Sequence, residues 1–185
     1  MLLLPCIPAF LASFLLALPP TIIPQPFGVD PAVLLLLFSA GGSLYAMETK
    51  DVLEVIPRVV LRPAVNLPGY VSGFFNYRGV VVPVIDLCVL IHGPPSGLNF
   101  SSRIIMVSAA DSVAKDQCIG LLSEGVTDTL SRPLSAFQKT GLNSQCKLYL
   151  GGMTLDDRGM VQILHLSVLL EQLNPVPVGN DSIIL

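Results

Sequence analysis

Between Val33 and Leu173 the apolar residues fall into short runs rich in β-branched and aromatic side chains, punctuated by glycine, proline and asparagine turn signals. That is the grammar of strands and tight turns, and no run is separated from the next by a long helical pattern. A parallel βαβ sheet is therefore disfavoured. An all-β chain with a short helix or two fits, built of about eight or nine short strands as in barrels and sandwiches.

Val33–Phe38, the turn Ala40-Gly41-Gly42 and Leu44–Met47 read as strand, tight turn and strand, the glycine pair supplying positive φ. Asp51–Ile56 fits one helical turn or a short strand ended by Pro57. Val59–Leu61 is extended, and Pro63 and Pro68 keep the next stretch a loop. Tyr70–Tyr77 and Val80–Leu87, joined at Arg78-Gly79, form a second hairpin. After a turn-rich gap at Ile91–Gly97, Arg103–Ser108 pairs with Gln117–Ser123 across a polar loop, Ala109–Lys115, and Gly125–Leu130 follows. Ser131–Ser144 reads as an irregular excursion. Cys146–Leu150 and Met160–Leu166 are expected to pair across Gly151–Gly159. Ser167 is expected to cap a closing helix through Leu173, with Leu169, Leu170 and Leu173 as its inward stripe.

A chain of 185 residues, 52% hydrophobic, can bury one sizeable core or two small ones that share a wall. Only 12% of residues are charged, about half the usual share, and the apolar excess sits at the N-terminal end. From Met1 to Leu18 the only polar side chain is Ser13, but Pro5 and Pro8 leave Ala9–Leu18 as the uninterrupted stretch. That is far short of the roughly 20 residues of a spanning helix. No Lys or Arg precedes Lys50, so the charged start of an export signal is missing too. The segment reads as a weakly membrane-associating arm, or as a start-site artefact with the real start at Val29 or Val33. Detection of an intact Met1 by mass spectrometry separates the two. Pro19, Pro20, Pro24, Pro26 and Pro31, with Gly28 and Asp30, make a semi-rigid linker. The expected organisation is an extension over residues 1–32, a domain over 33–174 and a tail over 175–185.

Catalytic constellations are scarce. The net charge is −3 and the ten basic residues are scattered, which speaks against a nucleic-acid partner. Cys6, Cys88, Cys118 and Cys146 have no C-x-x-C spacing and read as reduced, buried thiols of a cytoplasmic protein. His92 falls in a loop, and His165 reads as a satisfied, partly buried histidine. Cys88 and His92 alone do not make a zinc site, so neither metal nor cofactor is expected. Gly41-Gly42 and Gly151-Gly152 lack the Lys-Ser/Thr of a phosphate loop and read as turns. Asp86 and Asp156-Asp157 suggest an aspartic-type hydrolase, yet Leu87 and Cys88 follow Asp86 where a small hydroxyl residue and glycine are needed. Pepstatin-sensitive cleavage tests that alternative. A β-barrel module binding a ligand or nucleic acid is the other, tested by filter binding to single-stranded DNA. Aromatic residues are only 6%, few for a stacking platform.

The run Asn76-Tyr77-Arg78-Gly79-Val80-Val81-Val82-Pro83-Val84-Ile85-Asp86-Leu87 sets an arginine and an aspartate at either end of an apolar stretch. On a hairpin, Arg78 lies at the turn and Asp86 roughly 26 Å away at ~3.3 Å per residue, too far to pair. Asp86 reads as a cap for the turn that follows. Arg78, beside a glycine on an exposed turn, offers five donors to a partner.

Gly73-Phe74-Phe75-Asn76-Tyr77-Arg78-Gly79 through Asp86-Leu87 resembles the signature G-x-x-N-x-R-G-x-x-x-P-[VI]-[VI]-D-L of the CheW-like coupling proteins of bacterial chemotaxis. Tyr45-Ala46-Met47, Val52–Ile56, Ile119–Leu122 and Gly125–Asp128 resemble that family's flanking segments, so the likeness runs from about Val33 to Leu173. The resemblance implies two intertwined five-stranded barrels of Src-homology type and no catalysis. It implies a cytoplasmic scaffold at the inner face of the membrane, bridging methyl-accepting chemoreceptor tips to the regulatory domain of a histidine autokinase. The family's partner-facing positions carry over onto Val52, Glu54, Gly73, Arg78 and Val126. Members usually show Asp where His165 stands and an acidic residue near Ser123, and the apolar arm before Val33 is not a usual family feature.

Overall fold

A computed structural model describes residues 30–63, 65–97, 100–108, 118–139 and 147–173. The apolar arm and most of its linker, the Ala109–Lys115 loop, Cys6, Cys146 and the tail over 175–185 lie outside the described residues. β1 (Ala32–Ala40) and β2 (Ser43–Glu48) form the opening hairpin, turning at Gly41 and Gly42 with φ of 57° and 75°. A single 3-10 turn, Thr49–Asp51, leads into β3 (Val52–Pro57), so the segment left between turn and strand is one after the other. β4 (Val71–Tyr77) and β5 (Val80–Asp86) form the second hairpin. A short helix not anticipated from sequence, α1 (Leu87–His92), follows directly. β6 (Arg103–Ser108), β7 (Cys118–Ser123), β8 (Gly125–Pro133), β9 (Leu150–Asp156), β10 (Gly159–Leu164) and α2 (Leu166–Gln172) complete the chain.

Two five-stranded sheets result, ordered β8-β1-β2-β10-β9 and β3-β6-β7-β5-β4. The two orders are the same plan read twice. In each, a hairpin (β1–β2 or β6–β7) is followed by a strand that leaves for the other sheet: β3 pairs with β6, and β8 pairs with β1. Each sheet is completed by a second hairpin and helix, β9–β10–α2 or β4–β5–α1, docked through one parallel pair, β2 with β10 or β5 with β7. The expected all-β class and intertwining hold. One detail differs: neither sheet closes into a backbone-paired barrel among the described residues, since β8 and β9, and β3 and β4, remain edges.

The core explains why the strands read as near-continuous apolar runs. Along β1, Leu35 and Leu37 face a small cluster inside the first sheet, with Ala46, Leu130, Val161 and Ile163. Leu36 and Phe38 face a larger cluster that also takes Ile105, Val107, Ile85, Leu87, Leu121, Leu166 and Leu169 from both sheets and both helices. On β6, Ile104 and Met106 face the second small cluster with Val82, Val84 and Leu122, and Ile105 and Val107 the shared one. A strand buried on both faces loses the period-2 alternation of a half-buried one. Two small cores do exist, and the wall they share is itself the largest.

Four expectations are corrected. Gly151 and Gly152 are not a turn but lie inside β9, which pairs with β10 around Asp157 and Arg158. They are glycines because a β-carbon at Gly151 would strike the His165 ring and one at Gly152 the carbonyls of Phe137 and Gln138. Ser167 does not cap α2: His165 holds that position without a side-chain cap, Ser167 is exposed in the first turn, and the buried stripe is Leu166, Leu169 and Leu173. His165 is exposed rather than partly buried, and Ser131–Pro133 are ordered as the end of β8.

Candidate functional site

The second hairpin turns through two residues of positive φ, Arg78 at 52° and Gly79 at 90°, the sign pattern that matches strand twist in a two-residue turn. Asn76 secures it by accepting the Gly79 N–H at 2.8 Å. Glycine is at home there; a left-handed arginine costs about 1–2 kcal/mol, so local geometry does not select it. Its side chain is 74% exposed. It crosses the open seam between the two edges of its sheet, donating from Nη2 to Oε2 of Glu54 on β3 at 2.8 Å. The Tyr77 hydroxyl donates to the same oxygen at 2.6 Å, and the guanidinium carbon lies 5.0 Å from the centre of the Tyr77 ring. The hydrogen bond to the Glu54 carboxylate pushes the Tyr77 phenol above its ordinary pKa. Two expected site residues, Glu54 and Arg78, thus meet, joined by Tyr77, which sequence reasoning passed over. Exposed apolar side chains adjoin them in the chain: Leu53 and Val55 on β3, Val80 and Val81 on β5.

The other expected positions have other surroundings. Val52 is half-buried against the shared core, opposite Val107, just before a bulge in β3. Gly73 is buried in β4 at φ 143°, where a β-carbon would strike the Arg62 carbonyl, and the backbone bridge Arg62–Phe74 passes over it. Gly73 therefore shapes the hairpin and presents no side-chain surface. Val126 sits on β8 of the other sheet, half-buried against the same core. Asp86 lies as expected at the far end of β5, only 4% exposed, and caps α1 rather than a turn.

The repeated plan places a counterpart of the Glu54–Arg78 contact on the first sheet. Val126 and Asp128 on β8 occupy the places of Val52 and Glu54 on β3, with a register shift at the matching point in both strands. Arg158, in the β9–β10 turn, donates to Asp128 at 3.0 Å and to Asp156 at 2.8 Å, and Arg132 stands 3.7 Å from Asp156. Arg158 holds the Asp156 carboxyl below its usual pKa. A sequence signal existed: Gly73 to Asp86 and Gly152 to His165 have equal spacing, each with Arg-Gly between and Leu after.

No group of three His, Cys, Asp or Glu among the described residues is placed to hold a metal. No helix among them is long and apolar enough to cross a membrane. The model of the CheW-like domain matches residues 34–174. This chain belongs to the CheW-like domain family. The chemotaxis protein CheW of Klebsiella aerogenes is 28% identical over 96 residues, 52% of this chain and 55% of that protein. Protein FrzA of Myxococcus xanthus is 28% identical over 100 residues, 52% of this chain and 62% of that one. The chain thus spans less than two thirds of the length of these curated relatives. The crystal structure of the scaffolding protein TtCheW from Thermoanaerobacter tengcongensis superposes with a TM-score of 0.64 at 25% identity, covering 78% of this chain and 91% of that one.

Within the CheW-like fold, the departures noted in sequence acquire places. His165 stands directly after the end of β10 where Asp86 stands at the end of β5: the backbone N–H of each donates at 2.8 Å to a tyrosine carbonyl, Tyr149 and Tyr70 respectively. Ser123 is fully buried, and the neighbouring Glu124 carboxylate accepts the Gly42 N–H at 3.3 Å, holding the β1–β2 turn.

Proposed function

We propose that this CheW-like chain is a non-enzymatic scaffold adaptor. It couples chemoreceptors to a histidine autokinase in a bacterial chemotaxis-type array, at the cytoplasmic face of the membrane. Residues 33–174 form the coupling domain, flanked by the 1–32 extension and the 175–185 tail. Its partners are the regulatory domain of the kinase and the receptor tips, and it needs no cofactor. Glu54 and Arg78 supply the polar centre of the docking face, Val52 and Val126 its apolar footing on the two exchanged strands, and Gly73 the shape of the hairpin.

The observation that carries this reading is Arg78: exposed, in a backbone conformation that disfavours it, and followed in the chain by the exposed Val80 and Val81. Arginine in an apolar setting is a frequent anchor of protein interfaces. Arg78→Ala is expected to leave the circular dichroism spectrum and melting temperature close to wild type and to weaken capture of the kinase regulatory domain or receptor tip by ~1–4 kcal/mol. Undiminished capture removes Arg78 from the interface.

A further inference from the structure

A lone ion pair across the seam would require only Glu54 and Arg78. Here two adjacent residues converge on one oxygen, Glu54 Oε2, with Tyr77 the closer donor. We propose that the cluster is a transferable anchor: in the docked state a carboxylate of the partner, set among apolar neighbours, takes the Arg78 guanidinium, while Tyr77 keeps Glu54 hydrogen-bonded. The inference rests on the coupling reading above and names the chemistry that reading leaves open, an acidic side chain on the partner's apolar surface.

The need for Tyr77 follows from what docking does to Glu54. An exposed carboxylate that loses its arginine is rehydrated at little cost, but one covered by a partner is not, and an unpaired buried charge opposes binding. A phenol donating to that carboxylate removes the penalty with a charge-assisted bond that needs no movement. Tyr77 is fixed for the task by its ring, which packs in the small core of its sheet and tilts against Phe75 at 6.2 Å. Arg78 is free for its part: only Nη2 is bonded to Glu54, and the stack over the Tyr77 ring strengthens as water leaves. Leu53, Val80 and Val81, exposed and close to these residues in the chain, are apolar side chains that a docked partner can cover.

Tyr77→Phe isolates the hydroxyl, because ring, packing and stack remain. Affinity for the purified kinase regulatory domain is measured by calorimetry for wild type, Tyr77→Phe, Glu54→Gln and the double variant. Tyr77→Phe is expected to weaken binding about tenfold with Glu54 present and about twofold or less beside Glu54→Gln, where no charge is stranded. Wild-type affinity in Tyr77→Phe overturns the transfer while leaving the coupling reading intact. Equal losses in both backgrounds overturn it as well, since the hydroxyl would then act through another group. A wild-type chain that fails to bind either kinase or receptor overturns the coupling reading and this inference with it. In the free protein, NMR of the Tyr77 ring carbon must show a phenol pKa that drops toward its ordinary value in Glu54→Gln; an unchanged titration overturns the contact on which the inference stands.

Discussion

Asp86 shows what a single side chain does at the junction of strand and helix. Its carboxylate accepts the N–H groups of Cys88, Val89 and Ser96 and the Ser96 hydroxyl, the last at 2.7 Å. It therefore starts α1 and pins the following loop at once. Sequence made it a cap; that it caps a helix was hidden because Leu87–His92 is a single apolar stretch too short to display a period. Asp86→Ala strands four donors in a largely buried site and is expected to cost about 2–4 kcal/mol in urea denaturation, combining a lost cap with unsatisfied groups. The β9–β10–α2 segment offers the converse test. His165 begins α2 without a side-chain bond, so His165→Asp is expected to gain about 1 kcal/mol in the same assay. Cys88 was legible as a buried thiol, and burial pushes its pKa up, whereas Cys118 is only half-buried.

At the scale of elements, the hairpins turning at Gly41-Gly42 and Arg78-Gly79 were readable, since the favoured two-residue turns use positive φ and few residues supply it. The last hairpin was read as a pair of strands, but with its turn misplaced. Its turn is Asp157-Arg158, while the conspicuous glycine pair marks a crossing of backbone over β9, a tertiary fact that no local signal encodes. For the candidate site, Arg78 was visible from its turn and Glu54 only through the family likeness; the approach of the two sheet edges that brings Glu54 to Arg78 and Tyr77 is a tertiary fact. Gly73→Ala separates the two uses of glycine. With φ 143° and the Arg62 carbonyl in the way, it should cost about 2–3 kcal/mol, against about 1 kcal/mol for Gly42→Ala, where φ is 75° but the space is open. The seam of the first sheet carries a pH signature. Arg158 depresses Asp156 below the ordinary 3.8, so the native state binds its proton less readily than the unfolded chain. The stabilisation is full above that ordinary value and lost as pH falls through the depressed one. Asp156→Asn should flatten this part of the acid limb in melts below pH 4, measured at low salt; an unchanged limb denies the seam a role.

For the molecule as a whole, the exchange of β3 and β8 decides how it must unfold. Neither sheet has all its strands without a piece of chain whose neighbours in sequence belong to the other, and the largest cluster of buried side chains draws on both. The units also finish each other's helices: the Tyr70 hydroxyl donates to the Leu173 carbonyl at the end of α2, and Tyr149 and Lys147 donate to Leu90 and Ile91 at the end of α1. Separating the sheets would expose the shared core, open two edges and free these helix ends together, so a half-folded state has no stable surface to keep. A cavity in one sheet must then weaken the other. Leu37→Ala, fully buried in the small core of the first sheet, should cost about 3–4 kcal/mol. Native-state hydrogen exchange should show the amides of β6 and β7, in the other sheet, losing the same protection as those of β1 and β2. Loss confined to β1 and β2 would mean that the sheets open separately and that the strand exchange joins them in topology without joining them in energy.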